Sequence, residues 1–360
     1  MMLNSRSCNR PKRSETLCVG VAIVAFAMIF TVGCSEQPTA SKPIASSPPP
    51  APPAAPVKID GEPQSAAQKS MGGLIDPRLL KAFPKIPKPV DPGKPIRIAY
   101  KPVLNSVWRY KLTNELKQDQ MGAESSVKTE MDLAFEQNAI TADAFQVHSR
   151  LENTIWQLDT PAGGMIVDTW NPSRQKMDPP FKYLGDIWSA VIEAEATYSV
   201  TTDGKIEDFE APPEIMDAFH ENALGKEFGV SADAYVGQLK IAVFQLPSEP
   251  VSVGDTWPFK SRAETIAVEE SSDVATFLGV IEVRGKKYAM MEYRAKADKP
   301  MDNKMVVDHN MDSVSVVVFD LEAGNVWRVH TVSDMVTTLA INKMDLEQFS
   351  HTVQYIRRLD

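Results

Sequence analysis

The residues that could do chemistry in this 360-residue chain are few, and they do not gather. The five histidines are His148, His220, His309, His330 and His351. His220-Glu221 opens like a zinc-protease helix, but Leu224 stands where the second histidine would be, so a surface helix residue is expected. Asp308-His309-Asn310-Met311-Asp312 is the densest polar cluster. Asp308, Asn310 and Asp312 have a spacing that could ligate a hard cation. No Gly follows them and no Glu closes the loop, so an exposed strand or turn is expected instead. Glu193 with Glu195, and Glu269 with Glu270, are paired carboxylates, yet acid–base work would need perturbed pKa values in a cleft. Gly-x-Ser-x-Gly, Gly-x-Gly-x-x-Gly and Gly-Lys-Ser are all absent. No catalytic residue, metal or cofactor is assigned.

Cysteine usage is more informative. Cys8, Cys18 and Cys34 all fall in the first 34 residues, which excludes a disulfide framework or Cys-based zinc site from the rest. Arg6, Arg10, Lys12 and Arg13 precede Leu17 to Gly33, a run of 17 residues without a charge. That is the layout of a secretory signal. The run ends in Thr31-Val32-Gly33-Cys34, which resembles the lipobox of bacterial lipoproteins, with Thr31 where that family usually has Leu. The resemblance implies cleavage of residues 1–33 and lipidation of Cys34, so that membrane lipid is the first partner. An uncleaved signal anchor is the alternative, and either outcome exports the chain beyond Cys34. Ser35 is not the Asp that retains some lipoproteins on the inner membrane, which favours the outer membrane. Losing residues 1–33, with four basic residues and Glu15, would take the net charge from −9 to −12. Such an acidic chain, of pI near 5.2, is not expected to grip nucleic acid or an anionic membrane surface by charge.

Behind Cys34 the sequence reads as a tether. Glu36 to Pro95 holds 15 of the 27 prolines, and so few apolar side chains that a packed core is not expected. Polyproline-type extension at about 3.1 Å per residue would make residues 34–95 a semi-stiff, disordered spacer. One exception is Leu74 to Phe83, where Asp76-Pro77 forms an N-cap and first-turn pair before an apolar stretch, predicting a short helix docked on the domain.

From residue 96 to 360 period-two alternation dominates. Trp108, Tyr110 and Leu112 alternate with Arg109, Lys111 and Thr113. Similar runs occupy Met131–Phe135, Ile192–Val200 and Ala289–Ala295. One dry and one wet face per strand predicts antiparallel sheet, with hairpin turns at Asp203-Gly204 and Ala323-Gly324. Only the middle reads as helix, over Pro213 to about Lys226 and Ala232 to Phe244. At 346–359 both helix and strand fit, and the strand reading sets Phe349, Val353 and Tyr355 as its apolar face. The fold expected is mainly β (α+β): two similar antiparallel halves, about 96–211 and 254–360, joined by helices within about 213–244.

The halves look like copies. Asn105-Ser-Val-Trp108-Arg-Tyr110 matches Gly254-Asp255-Thr-Trp257-Pro-Phe259, and the first half would carry an insertion near 159–187. Trp108, Trp257, Gly254 and Asp255 are therefore read as structural anchors: Gly-Asp turns the chain and the ring starts a strand. Leu246-Pro247 with Pro250-Val251-Ser-Val253-Gly254-Asp255-Thr256-Trp257 resembles a signature of uncharacterised bacterial lipoproteins. Those share an export signal, a spacer and a duplicated β-domain, and have no assigned activity. Element order alone is similar to the LolA and LolB lipoprotein carriers, whose curved sheet cradles acyl chains. The leading expectation is a non-catalytic envelope scaffold or protein-binding module. A carrier or sensor of an apolar ligand is the alternative, and an enzyme the third class.

Overall fold

The computed structural model describes residues 75–120, 122–141, 143–161, 163–178, 190, 192, 194–210, 212–221, 237, 239–259, 273–299, 306–341 and 344–359. Cys34 and the Pro-rich stretch before Ile75 lie outside them, as do Glu193, Glu269 and Glu270.

The alternating segments are strands, and they are long. In the N-terminal half they are β1 (Val107–Gln120), β2 (Ala123–Ile140), β3 (Ala144–Thr160), β4 (Gly163–Asp168), β5 (Lys176–Met177), β6 (Glu195–Thr201) and β7 (Ile206–Glu210). The C-terminal half contributes β8 (Thr256–Pro258), β9 (Val274–Val283), β10 (Lys286–Lys299), β11 (Val306–Asp320), β12 (Asn325–Ile341) and β13 (Met344–Leu359). Every pairing is antiparallel, and the order is β5-β4-β3-β2-β1-β13-β12-β11-β10-β9-β8, with β6 and β7 branching from β3. The halves are thus not two sheets. β1 lies between β2 and β13 along almost its whole length, which fuses first and last strands into one surface.

The described part of the stretch read as an insertion holds β4 and β5, which pair outward from β3. Residues Ala144–Arg150 pair β6, whereas Ile155–Thr160 pair β4, so the β4–β5 excursion uses the far end of a strand whose near end continues the meander. Leaving that excursion aside, the path β1-β2-β3-β6-β7 runs in the same order as β8-β9-β10-β11-β12. The turns entering the two tryptophan strands also match. Asn105 and Gly254 both have positive φ, 59° and 88°. Asn105 N–H donates to the Gln137 carbonyl and Gly254 N–H to that of Phe277, at 2.8 and 2.9 Å. Each acceptor residue's own N–H returns a bond, Gln137 to Ser106 and Phe277 to Asp255.

Three expectations need correction. Helix α2 covers Pro213–Glu221, but Leu239–Ala242 are turns and Val243–Leu246 are irregular, so no helix reaches Phe244. Strand β6 begins at Glu195 and Ile192 is helical, because the alternation read from Ile192 onward belongs to the sheet only in its second part. Residues 75–95 are not spacer. Helix α1 (Pro77–Ala82), capped by the Asp76 carboxylate accepting from Arg78 N–H at 2.8 Å, packs Leu79 beside Ile75, Ile86, Val314, Val316 and Val332. Val90 then bridges Val280 and Ile96 bridges Val251, so this segment straps the C-terminal half.

Candidate functional site

Pleating sorts the side chains into an inward and an outward set. Inward on β1 are Trp108, Tyr110, Leu112, Asn114, Leu116, Gln118 and Gln120; outward are Arg109, Lys111, Glu115, Lys117 and Asp119. Register carries the inward set across both halves, for example Asn114 beside Thr129 and Gln354, and Gln120 beside Gln348.

At the Trp108 end the inward surface is a packed apolar core. Trp156, Tyr110, Tyr198, Phe135, Phe145, Phe277 and Phe319 are its largest fully buried side chains. The chain itself fills the space over it. Leu239, Ile241, Ala242, Val243 and Leu246 are all buried there. Ring donors from both halves grip this segment by its carbonyls: Tyr198 Oη on Leu239 at 2.9 Å, Tyr293 Oη on Gln245 at 2.9 Å and Trp257 Nε1 on Gln245 at 3.3 Å. Tyr100 Oη accepts from Phe244 N–H at 2.8 Å. Turns and irregular backbone thus stand where a helix was expected, and these side chains partner the backbone groups that a helix would have paired within itself.

Toward the other end the inward set changes character without changing parity. Leu116, Val127 and Leu158 continue the apolar lining on β1, β2 and β3. On β13 and β12 the inward residues are Gln354, Thr352, Ser350 and Gln348, then Thr331, Ser333, Met335 and Thr337, all buried. No described inward position on β1, β2, β12 or β13 between the Asn114 row and the Gln120 row carries a charge. Some of these groups satisfy each other weakly, Ser125 to Gln118 and Gln118 to Ser350, each at 3.4 Å. Others have no hydrogen-bond partner: Asn114 Oδ1, both amide atoms of Gln120, Thr129 Oγ1 and Gln348 Oε1. Exposures of 8%, 4%, 4% and 1% leave these four residues almost without water. Buried polar groups are normally paired; unpaired buried side-chain atoms also occur away from this patch, at Ser106, Gln137 and Ser149 among others.

Sequence reading missed this patch because it took β13 the wrong way round. Phe349, expected in the dry face, is 52% exposed, while the Gln-Ser-Thr-Gln series is buried. The signal that could have found it lies in β1, where the inward series passes from Trp and Tyr to Asn and Gln with its period unbroken.

The outward face is charged. At the Gln120 end lies a hollow of about 1000 Å³ whose wall includes Lys117, Asp119, Asp334 and His351 of the outward set and Gln118, Ser125 and Ser350 of the inward set. His351 Nδ1 lies 2.7 Å from Asp334 Oδ1, and Arg78 of α1 reaches Asp312 at 3.0 Å. Asp312 also meets Lys296, and Asn310 is exposed on the same strand, so these residues lie in a strand and not a cation loop. Among the described residues no group of three His, Cys, Asp or Glu side chains could hold a metal. His330 is half-buried on the outward side against Phe83 and Tyr355, at 4.6 and 4.9 Å between ring centroids. His220 falls in α2, and His148 Nδ1 lies 3.3 Å from Thr197 Oγ1.

The anchors expected from the sequence sit at strand starts and turns. Trp108 and Trp257 are half-buried against the core, at the starts of β1 and β8. Gly254 has the left-handed φ of the turn, and the Asp255 carboxylate accepts from Ser252 N–H at 2.7 Å. The largest fully buried ring among the described residues is Trp156, which the sequence did not single out.

No family model matches the chain, and no curated protein matches it. Among solved structures it is similar to lipovitellin, from a study of its lipid–protein interactions, at 12% identity and TM-score 0.42, over 72% of this chain and 25% of that one. The chain thus spans about a quarter of the lipovitellin chain. It is also similar to the COG4313 outer membrane channel from Pseudomonas putida F1, at 8% identity and TM-score 0.21, covering 75% of this chain and 100% of the channel. A third likeness is to a DUF1329 family protein from Desulfovibrio piger, at 6% identity and TM-score 0.15, covering 69% and 85%. All three TM-scores lie below 0.5, so these likenesses carry no argument about activity.

Proposed function

We propose that the chain is an exported, lipid-anchored carrier or sensor that holds a ligand against the inward face of its sheet. One observation supports this above the scaffold reading: the partnerless polar atoms of Asn114, Gln120, Thr129 and Gln348, buried beside the apolar lining of Leu116, Val127 and Leu158. Each unsatisfied buried group costs about 1–3 kcal/mol. A scaffold that works through its surface gains nothing from them, whereas a binding site recovers the cost when its ligand arrives. Since Leu239–Leu246 already covers the aromatic end, the ligand belongs to the Gln120 end. Cys34, acylated after cleavage at Gly33, would tether this domain to an envelope membrane, with 35–74 as the spacer.

The two halves are read as copies of one unit, on the matched turns at Asn105 and Gly254 and the common strand order.

Native mass spectrometry of the exported domain purified from its own cells tests the carrier reading. A discrete added mass that departs on denaturation is the expected result, and a bare chain at every preparation would overturn it. Radioactive palmitate should label the wild type and not Cys34→Ser; equal labelling would remove the anchor.

A further inference from the structure

We propose that residues 75–90 form a releasable strap, which peels from the sheet as one unit under tension from the tether and leaves the sheet folded. This goes beyond the carrier reading and takes from it only the anchor at Cys34, which supplies the load.

The strap closes a core of its own. Ile75, Leu79 and Ile86 cluster with Val314, Val316, Val318, Val332, Tyr288 and Met290, and this cluster is separate from the inward one. Parity keeps the two apart: Val332 lies between His330 and Asp334 in the outward series of β12, whereas Val329 belongs to the inward core. Lifting the strap therefore uncovers an outward apolar face and leaves the inward core closed.

Backbone attachment is thin. Among the described residues, 75–90 exchanges main-chain hydrogen bonds with the sheet only between Val90 and Val280, at 2.9 Å each way. β1, by contrast, is paired along its length on both sides. Segments with few backbone bonds to their surroundings open at the low end of a protein's range of local stabilities.

The two ends of the strap differ. At the Ile75 end is a charged latch. Arg78 reaches Asp312 at 3.0 Å and Asp334 at 3.4 Å, Arg294 reaches Asp76 at 3.0 Å, and Asp76 N–H donates to Glu292 at 3.2 Å. Arg78 and Arg294 are 31% and 45% exposed, and ion pairs that open to solvent hold weakly. At the other end, Asp91-Pro92-Gly93-Lys94-Pro95 makes the hinge. Gly93 has φ +71° with open space around its missing Cβ, and its N–H is bonded only to the nearby Asp91 carboxylate, at 2.8 Å. Beyond the hinge the chain is fixed. Ile96 bridges Val251, Ile98 and Tyr100 are buried in the inward core, and Tyr100 and Lys101 N–H groups bond Thr202 and Gly324. The tether joins at the latch, so a pull at Ile75 loads these contacts one after another and stops at Ile96. Release adds about 50 Å of extended chain to the tether.

The test holds the acyl-free exported chain in optical tweezers by the Cys34 thiol and a C-terminal handle. The first event should free about 5 nm of chain, reverse on relaxation and precede every larger step. Arg78→Gln should lower the force of that event alone. Hydrogen exchange without load is the second measurement. The Leu80, Phe83, Ile86 and Val90 amides should exchange at least about tenfold faster than those of β1 and β13. Arg78→Gln should speed all four together, and Asp312→Asn should do the same, which separates a broken latch from one misfolded variant. A first step longer than the strap would overturn the inference. So would exchange of the four amides at the sheet's own rate, or a variant effect confined to Leu80 and Phe83. Equal palmitate labelling of Cys34→Ser would remove the anchor but leave these results standing, so the two failures are distinct.

Discussion

Gly204 and Gly324 each sit where a hairpin meets another piece of chain. Their φ values are +82° and +64°, and a Cβ would overlap the Phe244 carbonyl at the first and Lys101 at the second. Gly285 is left-handed too, at +78°, but nothing lies within 4 Å of its missing Cβ. Alanine at Gly285 should therefore cost about 1–2 kcal/mol from φ alone. Alanine at Gly204 or Gly324 should cost clearly more, because backbone has to move. Chemical denaturation of the three variants checks the ranking. At His330, burial, reinforced by the Arg328 charge, holds the imidazole down to about 4 from its ordinary 6.5. The unfolded chain then takes up the proton first. Stability should be full above pH 6.5 and fall toward pH 4, by roughly 3 kcal/mol at most. His330→Phe, which keeps a ring against Phe83 and Tyr355, should flatten that slope in a pH series of melts. Asp76 acts in a lower window: burial opposes its charge, but hydrogen bonds from Arg78 and the charges of Arg78 and Arg294 outweigh it and hold its pKa below 3.8. Its contribution is lost only as the pH falls through that value.

Elements were legible where one residue pattern decided them. Alternation placed β1, β2 and β10, and Asp76-Pro77 placed α1, because parity and capping are local properties. Faces were legible only where the dry side is apolar. On β13 the buried side is Gln, Ser and Thr, so periodicity found the strand and misassigned its interior. Leu239–Leu246 misled for a related reason: in a short, mostly apolar run where even Lys240 is buried, no exposed polar face sets the period. Its conformation is decided by Tyr100, Tyr198, Tyr293 and Trp257, all distant in sequence. The tryptophans should consequently differ in weight. Trp156→Ala, at a fully buried ring, should cost about 3–5 kcal/mol. Trp257→Phe keeps most of the ring contact and loses mainly the bond to Gln245, so about 0.5–1.5 kcal/mol is expected. Denaturant midpoints at equal slope give both values.

At the scale of the whole molecule, the junction of the two halves matters most. Sequence similarity between residues near 105 and 254 pointed to two units, and nothing local revealed that β1 would take β13 as its neighbour. Arg109–Gln120 pair residue by residue with Gln348–Leu359, so the longest-range contacts of the fold lie at its centre. β13 also completes β12 over Arg328–Ile341. Removing it would unpair two central strands and strip one wall of the polar inward patch. A chain ending at Ile341 should therefore lose its cooperative melt and its near-ultraviolet circular dichroism, and not survive as two independent halves. The fragment 96–211, lacking that neighbour for β1, should fail likewise, since an open row of backbone donors and acceptors of this length invites aggregation. Adding residues 344–360 in trans to the truncated chain offers a direct check. Recovery of a sharp transition would show that β13 acts as the shared seam, whereas a cooperative melt of the truncated chain alone would mean that each half carries its own stability.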